Sequence, residues 1–460
     1  MRDRFGIDWS KTPGTQFWRA PHLTRRTFFR HTASAVGGYF LMPARPMETI
    51  ARAGAQPIGK AKYCIFVLMS GGASHTDTFD LKKGSWTPAA FNATSYDGVD
   101  FAQGAMPKLA AQMDSMAFAR SVRSWAAVHG LARDWAQIAR NPVSSTARIA
   151  PHIGSVASIE LSAGKDQTLP AFVALNTGTD SPGNGYFAPE HAPFFVSPGG
   201  GGLGNTVHRD GAARFDQRFG LLLNLDAEER ALNELGAGTR EMLQFNLNAR
   251  NLMYNGKVDQ VFTFAADERV RYGNSGFGNA CISARNLIRA GLGTRFIQIS
   301  VGGWDNHSNI YGGPFNAANA NSLIRQYDNG LGTLIADLKA EGFLDETLIV
   351  SMGEFGRTIG TLNAQGGRDH FLQQAVLFAG AGIRGPRAIG STDDLGRMTA
   401  DPGWGRQRDI RSEDIAATIY SALGIDWTKV RRDDPIGRGF EYIPFASTQD
   451  LYGPIHELWS

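Results

Sequence analysis

Tyr63-Cys64-Ile65-Phe66-Val67-Leu68-Met69 is an unbroken apolar run that stops at Ser70-Gly71-Gly72. Seven residues without a polar interruption read as a strand buried on both faces, as in a parallel sheet, because a strand with one wet face would alternate. Runs of the same kind recur at Arg295 to Val301, Thr347 to Met352 and Gln374 to Ala379, each short and each followed by glycine. Between the second and third of these, Asn321 to Gly342 carries Leu323, Tyr327, Leu331, Leu334 and Leu338 at helical spacing, with Gly342 as its stop. That is a β-α-β unit. Further helices are predicted at Trp125 to Arg140, Thr239 to Asn255, Asn279 to Ala290 and Ser412 to Leu423. The fold class is therefore α/β, a doubly wound and mostly parallel sheet with helices on both faces.

Two segments depart from this rhythm. Gly178 to Gly211 is rich in glycine and proline and includes Ser197-Pro198-Gly199-Gly200-Gly201-Gly202, which predicts an insertion or surface lid. Residues 1–55 hold nine Lys/Arg against three Asp/Glu, leaving 37 basic and 40 acidic residues in 56–460. At the centre of that leader stands Thr24-Arg25-Arg26-Thr27-Phe28-Phe29-Arg30. The small-residue run Ala33 to Met42 and then Ala53-Gly54-Ala55 follow it. This resembles a twin-arginine export signal with its cleavage site. The resemblance implies passage through the twin-arginine machinery to a periplasmic or extracellular location. That route carries proteins already folded, often with a metal or cofactor in place. No other stretch has the roughly 20 continuous apolar residues that span a bilayer, so no transmembrane segment is expected in the mature form.

The whole chain has 460 residues, of which 42% are apolar, enough for one large α/β domain over 56–460 and too much for a disordered chain. Two cysteines exclude a disulfide-stapled module, and both lie in apolar or helical runs suited to buried free thiols. A net charge of +3 gives no polyanion-binding surface, so nucleic acid is not expected as a partner.

In open α/β sheets ligands bind beyond the carboxyl ends of the strands. The first strand leads into Ser74-His75-Thr76-Asp77-Thr78-Phe79-Asp80, the next into Gly303-Trp304-Asp305-Asn306-His307, and the third into Gly353-Glu354-Phe355-Gly356-Arg357. A fourth cluster, Gly367-Arg368-Asp369-His370, precedes the following strand. Carboxylate and imidazole are ligands for zinc, manganese or calcium, and glycines bring such ligands close together. Each residue alone has a plainer role: Asp77 or Asp80 as a helix cap, His307 as an interior histidine, Glu354 as a partner of Arg357. Recurrence at the same end of successive strands is what groups them. Of eight histidines outside the leader, His75, His307 and His370 fall in these segments and His129 begins a helix.

These segments, in this order and behind this leader, resemble the bacterial family catalogued as domain of unknown function fifteen-oh-one, over roughly residues 60–425. That family is grouped with sulfatases in the alkaline phosphatase superfamily. The resemblance implies hydrolysis of a phosphate or sulfate ester, a small anionic substrate, and one or two divalent ions. By the same resemblance Asp305, His307 and His370 hold one metal, Glu354 serves a second, and Asp77 is the early carboxylate. His75 and His129 would be acid/base or oxyanion-side groups, and Arg357 and Arg368 would bind the anionic ester. The chain departs from the superfamily at the nucleophile. No Cys-x-Pro-x-Arg sequence is present, which excludes a formylglycine mechanism. Ser124 is the hydroxyl left for that role, its alternative being the cap of a helix starting at Trp125. Phe355 stands where the superfamily often has a histidine, so one of the two metal sites is expected to be altered or absent. The rival expectation is an exported binding or assembly protein that keeps the fold without turnover.

Overall fold

The computed structural model describes residues 55–162, 167–178, 181–225, 227 and 236–460. The leader with Arg25-Arg26 lies outside them. Eight strands form the central sheet: β1 (Tyr63–Met69), β2 (Met116–Arg123), β3 (Phe172–Leu175), β4 (Phe194–Val196), β5 (Phe296–Val301), β6 (Thr347–Gly353), β7 (Gln373–Gly380) and β8 (Arg387–Ile389). Their spatial order is β8-β2-β7-β6-β1-β5-β3-β4. Every pairing is parallel except those of β7, which runs against both β2 and β6.

The side chains of β1 explain the double winding. Cys64 to Met69 are at most 2% exposed, so neither face meets water. Ile65, Val67 and Met69 enter one core, and Cys64, Phe66 and Leu68 enter the other. The principal helices are α1 (His129–Ile138), α2 (Ile153–Leu161), α3 (Gly211–Leu225), α4 (Gly236–Leu252), α5 (Gly276–Ala290), α6 (Leu323–Tyr327), α7 (Thr333–Ala340) and α8 (Ser412–Ala422). The first core is closed by α5, α6 and α7 through Phe277, Ile282, Tyr327 and Leu334. The second is closed by α1, α2 and α8 through Ile138, Val156, Ile415 and Tyr420. Each such side chain contributes about 1.5–3 kcal/mol on burial. Cys64 and Cys281 lie in these interiors as free thiols.

Three local readings change. The helix expected from Asn321 to Gly342 is two short helices joined by a π-helical turn, Asp328–Gly332. There Asp328 is fully buried and accepts from the backbone N–H of Leu109 (2.8 Å) and Lys108 (3.2 Å). The helix expected from Trp125 begins at His129, with Val128 at its N-cap. The glycine-rich stretch supplies β4, the edge strand of the main sheet, parallel to β3. Among the described residues no helix is long and apolar enough to cross a membrane.

Candidate metal centre

The parallel strands β1, β5 and β6 end at one rim of the sheet, and β2, antiparallel to β7, ends there too. Because β7 runs the other way, its beginning lies on that rim, which is why residues just before it belong to the same place. Asp305 and His307 follow β5, Glu354 follows β6, and His129 opens α1 after β2. His370 lies on a short strand, His370–Phe371, paired with Gly356–Arg357 ahead of β7. Two glycines make the approach possible. Gly71 has φ of 110°, and a β-carbon there would stand 2.5 Å from the amide nitrogen of Asp305. At Gly367 a β-carbon would stand 2.0 Å from the carbonyl carbon of His307.

Asp305 is the hub. Its Oδ1 is 2.9 Å from His307 Nε2 and 3.5 Å from His370 Nε2, and its Oδ2 is 3.4 Å from His129 Nε2. One ligand atom each from His129, Asp305 and His370 lies within 4.8 Å of the others. His307 Nε2 and His370 Nε2 are 3.1 Å apart.

The tautomers follow from what each Nδ1 meets. His129 Nδ1 is 2.8 Å from Glu354 Oε1, His370 Nδ1 is 2.9 Å from the carbonyl of Ala127, and His307 Nδ1 is 2.8 Å from Asp369 Oδ1. All three partners only accept, so each Nδ1 carries the proton and donates. A neutral imidazole so oriented turns its Nε2 lone pair toward Asp305, 2.9 Å from it at His307, with His370 Nε2 3.1 Å away. Positive charge relieves that arrangement, and it can come from the Arg357 guanidinium, from a second ring proton or from a bound cation. Among the described residues His129 Nε2 and Glu354 Oε2 moreover have no hydrogen-bond partner. Nε2 of His129 and His370 and a carboxylate oxygen of Asp305, each histidine oriented through its other nitrogen and with His307 Nε2 beside Asp305 and His370, fit the ligand chemistry of a divalent transition metal.

Arg357 forms the charged wall of the site. It is 1% exposed, and its guanidinium donates to Asp305 Oδ1 (2.6 Å), His307 Nε2 (3.3 Å) and the carbonyls of Gly71, Gly72 and Arg368. Burial works against the ionised form of Asp305, but the hydrogen bond and charge of Arg357 outweigh it and hold the carboxyl below its ordinary pKa. The hydrogen bond from His307 does the same for Asp369.

Four expectations need correction. Asp77 is not at the metal cluster. It is 1% exposed and accepts from Arg368 Nε (2.7 Å), the Tyr311 hydroxyl (2.6 Å) and the Ser74 hydroxyl (2.5 Å). Arg368 is 0% exposed, and its donors go to Asp77, Tyr311 and the carbonyls of Thr358 and Gly360, so none is left for an anion. This buried pair ties the 360s loop to the turn after β1. Ser124 is buried rather than presented to a substrate, and its hydroxyl donates to the carbonyl of Glu354 (2.7 Å) and accepts from Gln374 (2.6 Å). Nor does it cap a helix. His75 lies apart from the cluster, 1% exposed, with Nε2 on the carbonyl of Gly396 (2.9 Å) and its ring stacked on Phe371. Burial lowers its pKa.

Sequence reasoning placed Asp305, His307 and His370 together, and the structure does the same. The sequence gave His129 an acid/base or oxyanion-side part; in the structure its Nε2 lies 3.4 Å from Asp305 Oδ2 and its Nδ1 2.8 Å from Glu354. Asp369 was missed although it precedes His370 directly. Tyr311 carried no sequence signal.

Comparison with known proteins adds the following. No curated protein matches the chain. Among solved structures it is similar to a protein in the alkaline phosphatase superfamily from Vibrio parahaemolyticus, at 12% identity and TM-score 0.37, covering 81% of this chain and 69% of that one. It is similar to a sulfatase from Pseudoalteromonas sp., at 14% identity and TM-score 0.39, covering 81% and 68%. A phosphonate monoester hydrolase from Silicibacter pomeroyi overlaps at 12% identity and TM-score 0.35, covering 79% and 73%. Overlaps at this level assign no chemistry to the chain. The family described as Protein of unknown function (DUF1501) matches residues 61–441, and this chain belongs to that family.

Proposed function

We propose that the chain is an exported metal-dependent hydrolase of phosphate or sulfate esters, with His129, Asp305, His307 and His370 holding a divalent ion. The observation that carries this reading is the convergence of three histidine Nε2 atoms on one carboxylate. A divalent ion bound there supplies Lewis-acid stabilisation of the negative charge that builds on the ester oxygens. Glu354, Asp369 and the carbonyl of Ala127 fix the ring orientation of the three histidines. Arg357 keeps Asp305 ionised, but like Arg368 it is buried with its donors taken by protein acceptors, so the expected role of binding the ester does not fall to it. The hydroxyl of Ser124 is bound on both sides, so the reading takes water as the group that attacks phosphorus or sulfur. Asp305, His307 and His370 are 27–47% exposed, open enough for a substrate to reach them.

The leader supports export by the twin-arginine route to the periplasm or the exterior. Replacing Arg25 and Arg26 by lysine is expected to leave the chain in the cytoplasm.

One observation favours the rival, a binding or assembly protein without turnover. The Arg357 guanidinium already neutralises Asp305 at 2.6 Å, which lowers the pull on a cation. Metal analysis of the exported chain separates the two. The hydrolase predicts stoichiometric transition metal that is lost in Asp305→Ala and in His370→Ala, and turnover of an aryl phosphate, phosphodiester or aryl sulfate. A chain purified without metal that takes up none on incubation refutes the hydrolase.

A further inference from the structure

A second cavity, of about 440 Å³, lies beside α1 and α8. Trp125, Trp135, Arg140, Glu413, Phe445 and Tyr452 are among its walls. None of them belongs to the metal cluster, although Trp125 stands only four residues before His129.

Its walls are built to stay in place. The indole N–H groups of Trp125 and Trp135 donate to the two oxygens of Glu413, at 3.1 and 2.8 Å. The two rings stack at 5.8 Å, and the Arg411 guanidinium lies 4.1 Å from the Trp125 ring centre. Glu413 is 3% exposed and has no cationic partner within ion-pair distance among the described residues, and burial raises its pKa. Arg140 is 5% exposed, and its bonds go to the Thr146 hydroxyl and the carbonyls of Glu441 and Tyr442 rather than to a carboxylate. Phe445, also in the lining, is 47% exposed at φ of 59°, a left-handed backbone that a bulky residue adopts only under strain. Its amide donates to Glu441 Oε2 at 2.9 Å, which holds that turn. Strained residues cluster at ligand sites, and an exposed aromatic ring held in such a turn in a cavity lining offers a face for a ligand.

The chemistry of the walls narrows the ligand. Glu413 and Arg140 are already bonded within the wall, and Asn141, Ser144, Thr146 and Glu441 line the same space, so donors and acceptors of both kinds face it and no single charge sign dominates. A neutral molecule whose groups both donate and accept suits such a wall, and hydroxyl groups do this. Aromatic walls call for an apolar face on the same molecule. A pyranose ring has hydroxyls around its rim and C–H groups on its face, and the volume is that of a small-molecule site. We propose that this cavity binds a neutral pyranose unit of a glycan. The site stands on its own residues and does not depend on the metal reading.

The test is a titration of the full exported chain, followed by intrinsic tryptophan fluorescence. The titrants are methyl pyranosides of gluco, galacto, manno and N-acetylglucosamine configuration and their short oligomers. Sodium benzoate and tetramethylammonium chloride are the anionic and cationic comparisons. At least one pyranoside should give a saturable change that persists in His370→Ala, and Phe445→Ala should weaken it about tenfold while leaving the unfolding midpoint near that of the parent. Trp125→Phe, which keeps a ring in the stack and loses the indole N–H, should also weaken it. The proposal is overturned if no pyranoside saturates, if benzoate or tetramethylammonium saturates instead, or if Phe445→Ala and Trp125→Phe both bind as the parent does. Loss of metal binding in His370→Ala alone would bear on the hydrolase and leave the sugar site standing.

Discussion

Glu354→Gln removes a charge from behind the metal cluster while keeping the shape of the side chain. Oε1 of Glu354 accepts from the Gly71 amide and from His129 Nδ1, both at 2.8 Å, and the side chain is 1% exposed. A hydrogen bond to a buried charged acceptor contributes about 1.5–3 kcal/mol and a neutral one about 0.5–1.5, so the change costs about 1–1.5 kcal/mol at His129. Without the carboxylate, His129 is also freer to take the tautomer whose Nε2 carries the proton and cannot bind metal. At about 1.4 kcal/mol per factor of ten, the expected loss of metal affinity is about tenfold, at the lower end of the 10–100-fold range for such partners. Competition with a chelator of known affinity, using zinc and manganese in turn, reads this directly. His129→Ala should lose more, since it removes a ligand and not its support. Unchanged affinity in both Glu354→Gln and His129→Ala would refute the assignment of His129 to the metal and the ordering of the shell behind it.

Three further outcomes follow from the same geometry. Asp77→Asn leaves the Arg368 guanidinium buried without its countercharge and is expected to cost about 3–5 kcal/mol in urea unfolding, with no loss of metal stoichiometry in the protein that still folds. Burial raises the pKa of Asp328 to about 6, so the folded chain holds a proton that the unfolded chain releases near pH 4, and stability falls as pH rises between those values. Asp328→Asn should abolish that fall, gaining about 1–3 kcal/mol on the parent between pH 4 and pH 7 as read from thermal midpoints. Chelator treatment should lower the midpoint, because an ion present at about 100 times its dissociation constant stabilises the folded state by about 2.7 kcal/mol; equal midpoints with and without chelator would count against a bound metal.

The sheet was legible because burial on both faces leaves a mark that neighbours cannot erase. Tyr63–Met69 must be apolar at every position to lie between two helical layers, and the runs near 296, 348 and 376 obey the same need. The rule that ligands gather beyond strand ends then singled out Asp305, His307, Glu354 and His370. Where the sequence misled, the cause was a choice among partners. Asp77 and Arg368 carry the residue types of a metal ligand and an anion binder. Which charge each one meets depends on loops 291 residues apart, and here they meet each other.

The amino-acid order by itself determined the α/β class, the rim at which chemistry gathers, and the basic twin-arginine-like leader, since periodicity and composition are local properties of the chain. Tertiary structure alone decided which imidazole nitrogen keeps its proton, that His129 faces Asp305 while His75 is sealed against Gly396, and that Ser124 is spent on the Glu354 carbonyl. Hydrogen-bond partners and burial are set by segments hundreds of residues apart, and no local pattern encodes the distance between them.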